Sequence, residues 1–526
     1  MGGGDEPGDD EAATRFCACY LCYSVARRTT STTQRIPRNT GGMAMTVDYT
    51  RRKLLRTAAT GGAALAVAAN AAPSTAQTPV RRPNIVFILA DDMGYADISC
   101  YGRRDLVTAN IDRIAAQGTK FTQAYANSPV CTASRVAIIT GRYQIRLAVG
   151  LEEPISARTE RGIGLPPEHP TLPSLLRKAG YGTTLIGKWH LGALPLFSPH
   201  KSGYDHFFGY RSGSLDYYRH TTGVDVPDLW EEDSRVSLEG YSTDLFGDRA
   251  VKVIGDYARA GQSFFLSLHF NAPHWPWEAP GDQAESERLR GQSLVHRDGG
   301  SQETYRRMIA ALDGQVGRVL QALADNGIAG DTIVIFTSDN GGERFSDTWP
   351  FSGKKTELLE GGLRIPAIIS WPARIPAGRV SEQVTANMDW LPTLLAAAGT
   401  APDPAYPADG MNLLPHLGEG AGVVERKLFW RYKALWQRAA RIGDWKYLKI
   451  LDNTFLFNVV EDPLERANLK ERRKDIYDRL VAEWNGWNAT MLPETPTSAT
   501  GNFTGAEMAD HLGMKAVTLD PDPGLR

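Results

Sequence analysis

The chain has 526 residues, of which 42% are hydrophobic and 22% charged, and its formal net charge is −2. This composition is typical of a globular, enzyme-sized chain, and the near-neutral charge gives no electrostatic basis for binding nucleic acid. The body of the chain has only Cys100 and Cys131, which excludes a disulfide framework. The other cysteines, Cys17, Cys19 and Cys22, have no histidine or fourth cysteine nearby to complete a metal site.

We interpret residues 1–76 as a leader and export signal. Residues 50–56, Thr-Arg-Arg-Lys-Leu-Leu-Arg, resemble a twin-arginine motif, and an apolar stretch rich in Ala and Gly follows, too short to span a bilayer. A cleavage site is expected after Ala76, with Met43 or Met45 as the true start. The sequence thus predicts export to the periplasm or cell exterior without a stable membrane span; the alternative is a basic, disordered leader.

After Pro83, short apolar runs alternate with amphipathic segments, which predicts an α/β sheet covered by helices on both faces. The predicted elements, in chain order, are strand 84–89, helix 110–117, a helix starting at Cys131, helix 172–179, strand 183–186, strand 264–270, helix 304–326 and strand 332–337. Proline, glycine and small residues dominate 402–424, where we expect the boundary between a catalytic domain over 82–415 and a C-terminal subdomain and tail over 425–526. The predicted elements beyond it are strands 428–432, 445–449 and 454–457 and helix 475–484.

Cys131 begins the segment Cys-Thr-Ala-Ser-Arg, between a Ser-Pro turn and an apolar run. This pattern places Cys131 at a helix start, where free backbone N–H groups and the helix dipole stabilise an anion. Arg135 follows one turn later on the same face. On composition alone, Cys131 is equally well a small buried hydrophobic residue.

Four predicted strands end in polar residues, and ligands in open α/β sheets bind at the carboxyl ends of strands. The polar segments are Asp91-Asp92, Gly187–His190, Asn271–His274 and Ser338–Gly342. Asp91, Asp92, Asp339 and Asn340 offer only oxygen ligands, which suit a hard divalent cation such as calcium better than zinc. Capping a helix or forming a turn is the alternative role for these residue types.

These segments and the Cys131 pentapeptide resemble, in type and order, those of the type I sulfatase family, and the resemblance covers about residues 82–470. In that family the cysteine is oxidised to formylglycine by a formylglycine-generating enzyme. Here Ala133 stands where proline is commoner. The resemblance implies an alkaline-phosphatase-like fold: a large mixed, mostly parallel sheet between helices, and a smaller C-terminal antiparallel sheet with one helix.

The resemblance also implies the nucleophile and its metal. The implied calcium ligands are Asp91, Asp92, Asp339, Asn340 and the modified Cys131. A hydrated aldehyde presents one hydroxyl to attack sulfur and uses the other to expel sulfate, whereas a serine accomplishes only the first step. Arg135 and Lys188 would hold the hydrated residue.

Three further residues acquire implied roles in proton transfer. His190 would accept the proton of the second hydroxyl during sulfate release. His274 and Lys355 would face the leaving oxygen and donate to it or neutralise its charge. The family spacing to a following glutamate selects Lys355, with a shift by one to Lys354 as the alternative.

The sequence therefore predicts a sulfuric ester hydrolase that acts on a sulfated carbohydrate or an aryl sulfate. The aromatic and basic stretch 205–230 either stacks on a sugar ring or packs its own loop. One alternative is a phosphate or phosphonate monoester hydrolase of the same superfamily, which usually has a histidine where Asn340 stands. Another is a non-catalytic protein that binds sulfated glycans, against which the presence of every matched catalytic residue argues.

Overall fold

The computed structural model describes residues 82–156, 162–223, 225–295 and 298–494. The predicted leader and signal lie outside the described residues. The strands are β1 (Asn84–Ala90), β2 (Thr119–Phe121), β3 (Ala124–Tyr125), β4 (Gly182–Lys188), β5 (His206–Tyr210), β6 (Trp230–Glu231), β7 (Ser234–Arg235), β8 (Phe264–His269), β9 (Thr332–Ser338), β10 (Ala367–Ser370), β11 (Arg379–Ser381), β12 (Thr385–Ala386), β13 (Lys427–Tyr432), β14 (Gln437–Ile442), β15 (Trp445–Ile450) and β16 (Asn453–Asn458). The helices are α1 (Ala109–Ala116), α2 (Cys131–Thr140), α3 (Leu172–Lys178), α4 (Ser242–Ala260), α5 (Gln283–Arg288), α6 (Gln302–Asp325), α7 (Glu360–Leu363), α8 (Trp390–Ala397) and α9 (Lys474–Asn488).

Ten strands form one large sheet in the order β11-β2-β10-β9-β1-β8-β4-β5-β6-β7. The five central strands, β9, β1, β8, β4 and β5, are parallel to one another. Antiparallel strands lie towards the edges: β10 pairs antiparallel with β9, and β6 with β5. The predicted mixed, mostly parallel sheet is confirmed.

The central strands are apolar along their whole length because helices cover both faces of the sheet. Successive side chains of β1 point to opposite faces, so Val86 and Ile88 belong to one core and Ile85 and Phe87 to the other. Helices α1, α4 and α6 pack on the first face. Helices α2, α3 and α8 pack on the second.

The second sheet is an antiparallel meander of β13, β14, β15 and β16, against which α9 packs. The small C-terminal sheet with one helix is therefore confirmed. The same apolar cluster includes Val130, Ala133 and Ala137, so the start of α2 also packs against it. The domain boundary expected within 402–424 stays a prediction. None of the helices in the described part of the chain is both long and apolar enough to cross a membrane.

Candidate active site

The large sheet brings together polar residues that are far apart in sequence. Strands β9, β1, β8 and β4 are adjacent and parallel, so their carboxyl ends lie at the same edge. The predicted site residues lie at these strand ends or just after them: Asp339, Asn340, Asp91, Asp92, His274, Lys188 and His190. This convergence follows from the parallel arrangement of the strands.

Cys131 is the first residue of α2 and is 2% exposed. Val130 before it is extended and provides no side-chain cap, so the free N–H groups of the first turn surround Cys131. The Cys131 Sγ lies 3.9 Å from Asp92 Oδ1. Burial raises the pKa of the Cys131 thiol despite the nearby ammonium groups of Lys188 and Lys355. An unmodified Cys131 is therefore a neutral thiol and a weak nucleophile.

The oxygen-bearing residues predicted as metal ligands are all buried. Asp92 has a left-handed backbone with φ 61°, and its N–H donates to Asp339 Oδ1 at 3.2 Å. Asn340 Nδ2 donates to Asp92 Oδ1 at 2.8 Å, whereas Asn340 Oδ1 accepts no hydrogen bond from the described residues. A buried amide oxygen without a donor, beside three carboxylates, fits a hard cation such as calcium.

The potential ligand atoms of one compact group lie within 4.8 Å of one another: those of Asp91, Asp92, Cys131 and His274. Asp339 is not in this group. Its carboxylate accepts from Arg135 Nε at 3.0 Å and from the N–H of Asn340 at 2.9 Å.

Each buried carboxylate has its own cation. Lys188 Nζ lies 2.6 Å from Asp91 Oδ2, and Lys355 Nζ lies 2.5 Å from Asp92 Oδ2. The third pair is Arg135 Nη2 with Asp339 Oδ2 at 2.9 Å. Burial opposes the ionisation of Asp92, but Lys355, His274 and Lys188 together outweigh it and lower the pKa of this carboxyl. The charges balance in pairs, and the attraction within each pair offsets the desolvation of the ions, which costs on the order of several kcal/mol per ion.

Lys355 and Lys354 are in different environments. Lys355 is 2% exposed and enters the site, while Lys354 is half-buried and its backbone N–H donates to Glu357 Oε2 at 3.1 Å. The turn after Lys355 places Thr356 at φ 75°, a left-handed conformation that a threonine rarely adopts. The structure thus places Lys355, and not Lys354, beside Asp92.

His274 and Lys355 contact each other, with 3.3 Å between Nε2 and Nζ. Because His274 Nδ1 lies 2.6 Å from the carbonyl of Trp275, its N–H is on Nδ1 and its lone pair faces Lys355. Burial, and then the Lys355 ammonium, lower the pKa of His274 well below its usual value. Burial alone would also lower the pKa of Lys355, but the Asp92 carboxylate raises it. In this arrangement the lysine holds the proton.

His190 offers a basic nitrogen. Its Nε2 lies 3.1 Å from the carbonyl of Ile155, which fixes the proton on Nε2. Its buried Nδ1 has no hydrogen-bond partner among the described residues. Burial, reinforced by the Lys188 ammonium, lowers the pKa of His190 well below its usual value. Nδ1 is therefore an unprotonated acceptor.

Cys131, His190, His274 and Lys355 open into one cavity with a volume of ≈ 770 Å³. The aromatic side chain on its wall is Trp275, which sequence analysis did not single out. The aromatic residues of the stretch 205–230 that are buried in the protein interior are Phe207, Phe208, Tyr210 and Tyr217. These rings pack the loop and the core, and none of them lines this cavity.

His269 and Gln437 support the site and were also missed. His269, at the end of β8, lies with Nδ1 3.4 Å from Arg135 Nη1 and 3.1 Å from the carbonyl of Lys188. The position of His269 at the end of a strand is the sequence signal that indicates a site residue. Gln437 of β14 donates to the carbonyl of Thr356 at 2.9 Å and accepts from the N–H of Leu358 at 2.8 Å. No sequence motif marks Gln437.

Known proteins resemble this chain over most of its length. The Sulfatase family model matches residues 83–400, more than half of the chain. N-acetylgalactosamine-6-sulfatase of Canis lupus familiaris is 35% identical over 410 residues, which cover 74% of this chain and 76% of that protein. Arylsulfatase A of Homo sapiens is 33% identical over 387 residues, covering 67% and 71%.

A solved structure with the same architecture is that of Ps i-CgsB in complex with k-i-k-neocarrahexaose. It superposes with a TM-score of 0.71 at 28% identity and covers 80% of this chain and 95% of its own. The family model and the relatives agree on one class of reaction. The chain therefore belongs to the sulfatase family and is a sulfuric ester hydrolase.

Proposed function

We propose that this enzyme hydrolyses sulfate monoesters of a carbohydrate by means of a formylglycine made from Cys131 and a bound calcium ion. The observation that carries the proposal is the position of Cys131, at a helix start and at the floor of a cavity surrounded by buried carboxylates and cations. The similarity to an N-acetylgalactosamine-6-sulfatase and to a protein solved with neocarrahexaose supports a carbohydrate substrate. A formylglycine-generating enzyme is the maturation partner.

Modification is needed because the Cys131 side chain as encoded is a poor catalyst. Its thiol is neutral, and a sulfur nucleophile offers no second group to expel sulfate afterwards. The hydrated aldehyde supplies both a hydroxyl that attacks sulfur and a hydroxyl that releases sulfate.

The proposed calcium ligands are Asp91, Asp92, Asp339, Asn340 and an oxygen of the modified Cys131. When bound, calcium polarises the sulfate ester and orients the nucleophile. The unpartnered Asn340 Oδ1 and the adjoining carboxylates are the donors that support this assignment.

The remaining residues bind charge and move protons. Arg135 and Lys188, fixed by Asp339 and Asp91, hold the modified residue 131 and favour its deprotonated oxygen. His190 Nδ1 is the acceptor for the proton released as the sulfated intermediate breaks down.

The leaving oxygen meets His274 and Lys355, which also line the cavity. Because Lys355 holds the proton and His274 Nε2 presents a lone pair, we assign proton donation to Lys355 and sulfate binding to both. Neutralising the charge on the leaving oxygen accelerates ester cleavage more when the leaving group is an alkoxide than when it is a stabilised phenoxide.

Lys355→Ala is accordingly expected to lower kcat about 100-fold or more for a sugar sulfate, and less for nitrophenyl sulfate, whose leaving group is stable without a proton. Steady-state kinetics on both substrates measures this difference. Lys354→Ala, the matched control, should change kcat less than about twofold, since its side chain lies outside the cavity lining. An equal loss in both variants would contradict the assignment.

The reaction class is tested with an aryl sulfate and the matching aryl phosphate. The proposed site, with calcium bound, has a net charge of about +2, so affinity alone does not exclude the more highly charged phosphate. The enzyme discriminates between the two esters in turnover, because the step that releases sulfate from residue 131 and the donors to the leaving group fit a sulfate ester. We expect kcat/KM to be about tenfold or more higher for the sulfate. Faster phosphate hydrolysis would favour the phosphatase alternative.

We also propose export by a twin-arginine route. A reporter fused to residues 43–80 should appear outside the cytoplasm, and replacing Arg51 and Arg52 together by lysine should block this. Arg56→Lys, outside the pair, is the control and should leave export unchanged. Cell fractionation gives the result; export that persists in the double variant would assign another route.

A further inference from the structure

The cavity contains a second group of positive charges, away from the residues assigned to the chemistry. Arg211 and Arg235 line its wall, together with polar residues such as Thr222, Gln292 and Ser293. Of the described residues that line the cavity, none is an aspartate or a glutamate. A wall with these properties attracts anions.

Arg211 is held in place by a buried carboxylate. Asp228, which is 1% exposed, lies 3.3 Å from Arg211 Nε and accepts hydrogen bonds from Trp230 Nε1 at 2.7 Å and from the N–H of Ser212 at 2.9 Å. The Arg211 guanidinium also lies 5.3 Å from the centre of the Trp230 ring. Contacts on two sides reduce the conformational freedom that binding an anion would otherwise remove.

Arg235 lies against the same ring, at 5.0 Å from its centre. The contact arises because Trp230 and Arg235 are directly paired in the short hairpin of β6 and β7. Arg235 is exposed, and in residues 82–156, 162–223, 225–295 and 298–494 no carboxylate oxygen lies within 4.0 Å of its nitrogens. The protein orients this guanidinium through an aromatic contact and leaves its hydrogen-bond donors available.

We infer that Arg211 and Arg235 form a second anion subsite, which binds a non-reacting sulfate or carboxylate of the substrate while the reacting sulfate lies at Cys131. The inference rests on the proposed function and narrows its substrate to a glycan with at least two anionic groups. The cavity volume of ≈ 770 Å³ is within the range of sites that enclose ligands larger than one ring. Trp275 also lines the cavity, and aromatic side chains pack well against sugar rings.

The test measures binding, so that it does not depend on turnover. Three disaccharides share an N-acetylgalactosamine 6-sulfate unit and differ in the neighbouring sugar, which is galactose, galactose sulfate or glucuronate. Their Kd values are measured by calorimetry in Cys131→Ala protein, with and without Arg235→Gln. We expect Arg235→Gln to raise the Kd about tenfold for whichever doubly charged disaccharide fits the cavity. The increase in Kd should be smaller at high salt. The Kd of the galactose compound should stay unchanged.

Arg374→Gln is the matched control, because Arg374 is also exposed and also lies against a tryptophan, 5.3 Å from the ring of Trp371, outside the cavity lining. It should leave all three Kd values unchanged. Equal Kd values for Arg235→Gln and its parent with every disaccharide would overturn the subsite. So would an equal loss of affinity for all three. If binding depends on Arg235 but the wild-type enzyme cleaves no sulfate ester, the proposed function is refuted and the subsite stands.

Discussion

Replacing Cys131 by alanine is expected to abolish hydrolysis of sulfate esters, with kcat lowered on the order of 10⁴-fold or more, as for other enzymes that lose a covalent nucleophile. The fold should persist, because the change removes one sulfur atom from a helix of ten residues that are all buried. Kinetics with an aryl sulfate and a thermal melt separate these two effects. Cys100→Ala, at the other body cysteine, is the control and should remain active.

Cys131→Ser gives a sharper result. A serine hydroxyl can take the sulfuryl group from the substrate and release the alcohol, but it has no second hydroxyl with which to expel sulfate. We expect a burst of at most about one alcohol per chain, followed by no turnover, and a sulfated peptide containing residue 131. In the active enzyme, mass spectrometry should find the aldehyde at this position. An active enzyme with only a free thiol at residue 131 would refute the proposed nucleophile.

The second large effect is expected on removing calcium. Metal analysis should find about one hard divalent ion per chain, and chelation should abolish activity and lower Tm. The lower Tm follows because an ion that binds only the folded state stabilises it, by about 2.7 kcal/mol at a concentration of 100 Kd. Calcium should restore both properties.

Asn340→Ala should reproduce this loss in part, since it deletes the amide oxygen that accepts no hydrogen bond. Asp313→Asn is the control. Asp313 is also buried, but it accepts hydrogen bonds from the N–H groups of Asn110 and Ile111, at 3.1 and 2.8 Å, rather than facing the site. Two zinc ions per chain would favour the phosphatase alternative, and full activity without metal would refute the calcium proposal.

The parts of the fold that sequence predicts best are those with a continuous apolar pattern. Strands β1, β4, β8 and β9 were predicted because burial on both faces makes them apolar throughout. The meander strand β14 was missed: its sequence Gln-Arg-Ala-Ala-Arg-Ile has no alternation and few residues that favour strands. The hairpin of β6 and β7, with two residues per strand, is too short for any periodicity to show.

The site was predictable where a strand end or a family motif marks a residue. Asp91, Asp92 and His274 were found because they follow buried strands. Arg235 and Trp275 are marked neither by a strand end nor by a family motif. Their position in the cavity depends on how loops pack. The aromatic stretch 205–230 shows the limit of composition, since rings that stack on a sugar and rings that fill a core have the same sequence signature.

Gln437 has a consequence for the order in which the enzyme acquires its parts. Ribosomes synthesise the chain from its N-terminus, so every residue proposed to bind metal or sulfate is made before Gln437. Yet the backbone just after Lys355 depends on that one carboxamide for two of its hydrogen bonds, at Thr356 and Leu358. The segment after the proton donor therefore gains these two hydrogen bonds only once β14 has been synthesised and has paired with β13 and β15, so the C-terminal sheet completes the support of the active site during biosynthesis.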